Sequence, residues 1–328
     1  MFLYFALEEK QKFTLEEIAV DGAIILVDGS IKAGGKPGIL WDVYDANKFL
    51  GLDLKKMRNF KGDIAFFEKV IENPYVFTIE EVCDEFFGLV EGLGVKIHDC
   101  LKTPKVVGRR ARKKYLSDNN SREREETIKQ MHERVFQCHR RLKTKVLKFG
   151  EPEKKVYNFL LDMIKTIEPL LMLKRDTGYI IGERQRDRSR DSDTDERIAA
   201  TLLTLSLFSE KKPIGLTSDG DISRMVAKIP RFIGAEQYLP YNESFRNAWM
   251  QNPAKIYYYS EQAFTLNADT SEREFYRAVK LNELTPEQNW NLREKLGEKW
   301  KTAKDLDTLI NSAPHGKNFL VDIHRQKH

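Results

Sequence analysis

Residues Ala23–Val27 read AIILV, five apolar residues in unbroken succession. A strand with no polar residue on alternate positions is covered on both faces, which calls for helices above and below a mostly parallel sheet. A second run of this kind, Ile214–Leu216, sits inside PIGLTSDGDI (Pro213–Ile222). Each run ends in acid: Asp28 follows the first, Asp219 and Asp221 follow the second. In open α/β sheets ligands bind outside the C-terminal ends of the strands, so these acids stand where chemistry is expected.

The remaining elements fit around that sheet. Tyr75–Thr78 (YVFT) reads as a short strand, Lys255–Ser260 (KIYYYS) as a final one, and Val95–Ile97 as a further candidate. Helical spacing covers 41–54 and 63–72, the latter stopped by Asn73-Pro74. A stripe of Ile79, Val82, Phe86, Leu89 and Val90 follows YVFT. Two long helices come next, Glu123–Phe149 with a basic outer side and the more apolar Lys154–Leu173, and read as an αα-hairpin inserted into the α/β domain. Gly182–Thr194 is a charged loop. Asp195 then opens an apolar helix that ends at Lys211-Lys212-Pro213, and shorter helices are expected at 221–228 and 241–250. After a helix at 269–281, Thr285-Pro286-Glu287-Gln288 is a helix start, with the helix expected to reach Lys301 and another to begin at 302–305. The division is an α/β domain over 1–260, interrupted by a basic helical insertion at about 102–190, and a helical C-terminal extension over 261–328.

With 41% hydrophobic and 32% charged residues, the chain can bury a core under a charged surface. No apolar run approaches the roughly 18 residues of a membrane span, and MFLYFALEEKQK lacks a basic segment ahead of its apolar patch, so neither a membrane nor a signal peptide is expected. Cys83, Cys100 and Cys138 form no CxxC pair, and with His132 and His139 they lack the spacing of a zinc site. Buried reduced thiols in a cytoplasmic protein are the reading. The net charge of +5 hides a segregation: Lys102–Lys155 holds 18 Lys or Arg against 7 Asp or Glu, a local +11 that leaves −6 for the rest. Such a block suits a polyanion, most plausibly a nucleic-acid backbone, although a solvated helical face is the commoner role of a charge run.

Four segments then line up: ILVDGSI (Ile25–Ile31), VFTIEEVCDEF (Val76–Phe86), DERIAATLL (Asp195–Leu203) and LTSDGDI (Leu216–Ile222). In order and local structure they resemble the PIN domain family of metal-dependent nucleases. The resemblance implies a three-layer α/β/α fold with a central, mostly parallel sheet, here with the inserted hairpin and the C-terminal helices added. It implies Asp28, Glu85, Asp195 and Asp219 as metal-binding catalytic acids, Asp221 as an auxiliary acid, and Ser30 with Thr217 or Ser218 as polar groups supporting them. Asp193 competes with Asp195; the latter is preferred because it stands three residues before Ile198, where the apolar helix begins. The family usually has a much shorter span than the about 110 residues between Glu85 and Asp195, and usually Thr or Ser where Gly29 follows Asp28.

Carboxylates suit Mg²⁺ or Mn²⁺, hard cations that take oxygen ligands and activate water against a phosphodiester. The expected activity is endonucleolytic cleavage of RNA, with DNA as the alternative substrate. Lys105, Arg109, Arg110, Arg112, Lys113, Lys114, Arg140, Arg141, Lys143 and Lys145 would grip the strand. The alternatives are an inactive scaffold binding nucleic acid or protein, and a toxin-like nuclease held by a partner. The C-terminal helices are candidates for contact with a protein partner or a second copy. Taken singly, Asp195 could be a helix cap, Asp219 a turn residue and Glu85 a solvated helix residue. Asp191–Asp195 lacks the Gly and the terminal Glu of an EF-hand loop. No apolar strand precedes it as a dehalogenase nucleophile would need, a glycosyltransferase-type DxD leaves Asp28 and Glu85 unexplained, and no GxGxxG follows the first strand.

Overall fold

The computed structural model describes residues 11–28, 64–84, 121–171, 193–217, 220–233, 243–260, 263–267 and 285–312. Among the described residues six strands form one mixed sheet: β1 (Lys12–Phe13), β2 (Ala23–Val27), β3 (Val76–Phe77), β4 (Lys212–Thr217), β5 (Lys255–Ser260) and β6 (Ala263–Leu266), in the order β1-β6-β5-β4-β2-β3. The stretch β3-β2-β4-β5 is parallel, and β6 and β1 add an antiparallel edge. The helices are α1 (Leu15–Ile18), α2 (64–72), α3 (80–84), α4 (Ser121–Lys143), α5 (Glu151–Leu171), α6 (Thr194–Phe208), α7 (Gly220–Ile233), α8 (Glu243–Gln251), α9 (Pro286–Gly297) and α10 (Trp300–Ser312).

Strand β2 falls where its apolar run predicts, and all five of its residues are buried. The alternation of side chains along neighbouring strands assigns the two covering layers. Tyr259 stacks on Phe66 of α2 with ring centroids 4.7 Å apart, so α2 covers one face. Ile256, on the opposite face, sits beside Gly215, where an added Cβ would come within 2.5 Å of Ile256 Cδ1 and 2.9 Å of Leu202 Cδ1 of α6. Glycine at 215 lets α6 approach the sheet, and α7 joins that face through Ser223 and Tyr258. Helices thus cover both faces of the sheet, as the apolar runs require, and the arrangement is compatible with a three-layer α/β fold.

The expected inserted hairpin is corrected. Helix α4 ends at Lys143, and Val146 pairs in parallel with Thr78 beyond the outer edge of β3. Thr78 N–H donates to Lys145 O (3.0 Å) and Leu147 N–H to Thr78 O (2.8 Å). Open backbone groups at that edge capture the 145–147 segment and stop the helix short of Phe149. Helix α5 then packs on α6, α7, α9 and α10. Counting the Val146 bridge as a strand, the parallel part runs 3-2-1-4-5 in chain order, the doubly wound arrangement.

The residues assigned to a C-terminal extension also join the main body. Strand β6 lies in the sheet, so KIYYYS is not the last strand. Leu292, Leu296, Ala303, Leu306 and Ile310 belong to the same buried core as β2 and β4. Thr285 caps α9 as expected, accepting from Gln288 N–H at 3.2 Å while its own N–H donates to Gln288 Oε1 at 3.0 Å. The helix stops at Gly297, before the expected Lys301, and α10 starts at Trp300. Expectations for 41–54, 95–97 and 269–281 lie outside the described residues. Among the described residues no helix is long and apolar enough to cross a membrane.

Candidate active site

The chain passes from β2 to β3 on one side, then crosses back to β4 on the other, so connections leave β2 and β4 in opposite directions. This switch point is where doubly wound sheets open a ligand crevice at the strands' C-terminal edge. Asp28 is there, one residue past β2 and only 6% exposed. Its N–H donates to Leu216 O at 3.0 Å, and Thr217, the last residue of β4, donates its hydroxyl to Asp28 Oδ2 at 2.7 Å. Burying a carboxylate is costly without donors, and Thr217 supplies one while fixing the carboxylate's orientation. From the neighbouring strand, Thr78 donates its hydroxyl to Val27 O at 3.2 Å.

Register carries the row further. Thr217 pairs with Tyr258 of β5, on the sheet face covered by α6 and α7. Tyr258 Oη accepts from Asn267 Nδ2 at 2.6 Å and is hydrogen-bonded to Ser223 Oγ, which donates to Gly220 O at 2.9 Å. Sequence reasoning missed Tyr258, Asn267 and Ser223. Their only signal was YYY in β5, and no spacing reveals that register brings the middle tyrosine to the acidic edge.

Helix α6 runs back antiparallel to β4 and so starts at the same edge. Asp195 lies in its first turn, half-buried. Asp193 has a different role. It occupies the N-cap position but makes no side-chain cap bond; it accepts from Arg197 Nε at 2.7 Å and from Lys165 Nζ of α5. Those two hydrogen bonds, Arg197's first, hold the Asp193 carboxyl down at about 2 against the opposing effect of burial. Arg197 also pairs with Glu81 of α3 at 3.0 Å, tying together the starts of α3 and α6. Asp193 is thus engaged in an ion-pair network, and Asp195 lies in the same first turn of α6. Asp221 opens α7 and pairs with Arg224 one turn on.

Glu85, Asp219, Ser30 and Ser218 lie outside the described residues. Among the described residues no three His, Cys, Asp or Glu side chains group to hold a metal ion. The structure therefore assembles Asp28, Thr217 and the helix starts bearing Asp195 and Asp221 along one edge. Asp28, Asp195, Asp221 and Thr217 carry oxygen donors, the type that hard cations such as Mg²⁺ take, without three of the acids converging among the described residues.

Of the basic residues, Lys105, Arg109, Arg110, Arg112, Lys113 and Lys114 lie outside the described residues. Arg140 and Lys143 are exposed on α4, Arg140 with its guanidinium 4.8 Å from the Phe136 ring centre. Arg141 pairs with Glu72 at 2.5 Å, and Lys145 Nζ donates to Asn73 O at 2.6 Å with its pKa lowered by burial. Arg134 holds Glu68 through two hydrogen bonds, to Oε1 at 2.9 Å and to Oε2 at 2.5 Å. Through Arg134, Arg141 and Lys145 the described end of the basic helix docks on α2 and the turn after it. Cys83 and Cys138 are free and buried, their thiols pushed up to about 12 chiefly by desolvation, as inert core cysteines should be.

Comparison with known protein families, with curated proteins and with solved structures finds no match.

Proposed function

We propose that the chain is a metal-dependent endonuclease of PIN-like type, acting on RNA. The observation that supports this best is the buried Asp28 at the topological switch point, held by the Thr217 hydroxyl from the adjacent strand. A buried, oriented acid at the position where doubly wound sheets bind ligands is expensive to keep and is most simply explained by use. Asp28, Glu85, Asp195 and Asp219, with Asp221 beside them, would hold Mg²⁺ or Mn²⁺. Bound there, the ion would supply Lewis acidity and lower the pKa of a water so that its deprotonated oxygen can attack phosphorus.

The protein's own part is preorganisation. Thr217 keeps Asp28 in one orientation. The Arg197 network, joining Asp193, Glu81 and Lys165, keeps the starts of α3 and α6 together. Arg140, Lys143 and the basic residues of 105–114 attract the phosphate backbone, which carries no base specificity.

A second reading, an inactive scaffold that binds nucleic acid or protein, is favoured by one feature. Arg224 and Arg197 bring the chain's own cations to the acids at the helix starts. Incubation of single-stranded RNA with the protein and Mn²⁺ separates the two. Cleavage abolished by EDTA and by Asp219→Asn supports the nuclease. Binding without cleavage under the same conditions supports the scaffold.

A further inference from the structure

We propose that Tyr258, Asn267 and Ser223 are positioning residues that hold the first turn of α7, and with it Asp221, against the sheet edge. The donors run in one direction. Asn267 has its backbone fixed by an N–H bond to Ile256 O at 2.8 Å, and its side-chain Nδ2 donates to Tyr258 Oη at 2.6 Å. Ser223 Oγ donates to Gly220 O at 2.9 Å. The remaining bond, between Tyr258 and Ser223, therefore has Tyr258 O–H as donor. The chain Asn267 to Tyr258 to Ser223 to Gly220 thus runs from the end of β6 across β5 to the peptide joining Gly220 to Asp221. Ser223 is 1% exposed and Asn267 9%, so water is a poor substitute for either partner. Gly220 also directly follows Asp219 in sequence. The role assigned to the acids rests on the nuclease reading; the hydrogen-bond chain does not.

The test uses the full chain, Mn²⁺ alone as probe, and two near-isosteric variants. Tyr258→Phe deletes the donor to Ser223. Asn267→Asp replaces the amide donor by a carboxylate that only accepts, drawing the Tyr258 proton away from Ser223. Both variants should weaken Mn²⁺ binding about tenfold or more by calorimetry, as loss of supporting hydrogen bonds around metal ligands does. Both should also speed hydrogen exchange at the amides of residues 224–227 by more than the accompanying fall in metal-free stability accounts for. Unchanged exchange at those amides in both variants overturns the proposal whatever the metal does. Faster exchange with undiminished Mn²⁺ affinity overturns its functional half. Wild-type protein that binds no Mn²⁺ overturns the nuclease reading instead, and the exchange data then decide the structural half alone. Should Tyr258→Phe not fold, Asn267→Asp carries the same test.

Discussion

A carboxylate as buried as Asp28 needs hydrogen-bond donors around it, and Thr217 is one of them. Thr217→Val preserves shape and removes that hydroxyl. Urea unfolding should show a loss of about 1–3 kcal/mol, the cost of leaving a buried polar group without its partner. The Asp193 prediction concerns pH. Its folded value of about 2 lies below the ordinary 3.8, so folding favours the ionised form. The resulting stability is fully present above about pH 4 and is lost as pH falls through about 2. Asp193→Asn should therefore destabilise the protein near neutrality and converge with the wild type in acid, as followed by thermal melts across that range. Solvent screening of this third-exposed carboxylate limits the effect to about 1 kcal/mol or less. The places of Asp28 after a strand and Asp195 at a helix start were legible at this scale because an acid after an apolar run, or at the head of an apolar helix, is a local pattern. Tyr258 was not, since its importance comes from strand register and from a partner nine residues on.

At the scale of elements, β2, β4 and β5 were legible because each is an apolar or aromatic run bounded by turn residues. Strands β1 and β6 and the Val146 bridge were not. They are two to four residues long or a single pair, and backbone pairing with a neighbour decides them. Val146 even continued the helical stripe of Leu142, and tertiary pairing overrode that local preference. The same docking divides the basic residues of α4 by role. Arg140→Glu combined with Lys143→Glu should weaken RNA binding and flatten its salt dependence, with little change in stability. Lys145→Gln should do the reverse, costing about 1–2 kcal/mol of stability through the lost charge-assisted bond to Asn73 while leaving RNA affinity near wild type. Filter binding over a salt series, beside denaturant unfolding, reads both.

For the whole molecule, the C-terminal helices decide whether the chain holds one cooperative core or two. Leu296 is fully buried in the core that includes β2, Lys299 Nζ of the α9–α10 turn reaches Asp162 of α5 at 2.5 Å, and Ser244 N–H of α8 donates to Asp307 of α10 at 2.9 Å. Leu296→Ala should lower stability by about 2–5 kcal/mol. If the core is shared, the loss appears in hydrogen exchange of the β2 amides as well as in α9. Exchange changes confined to α9 and α10 would mean that these helices form a separate unit. The sequence hid this continuity because polar linking segments and helical composition after Ser260 look alike whether the helices pack on the sheet domain or stand apart.

The central claim is that Asp28 marks a metal-dependent active edge, and crystals soaked in Mn²⁺ test it most directly. An anomalous peak is expected within about 2.0–2.4 Å of a carboxylate oxygen of Asp28, with Asp219 as a second ligand, and no peak in Asp28→Asn. A peak elsewhere, or none at this edge at saturating Mn²⁺, would contradict it.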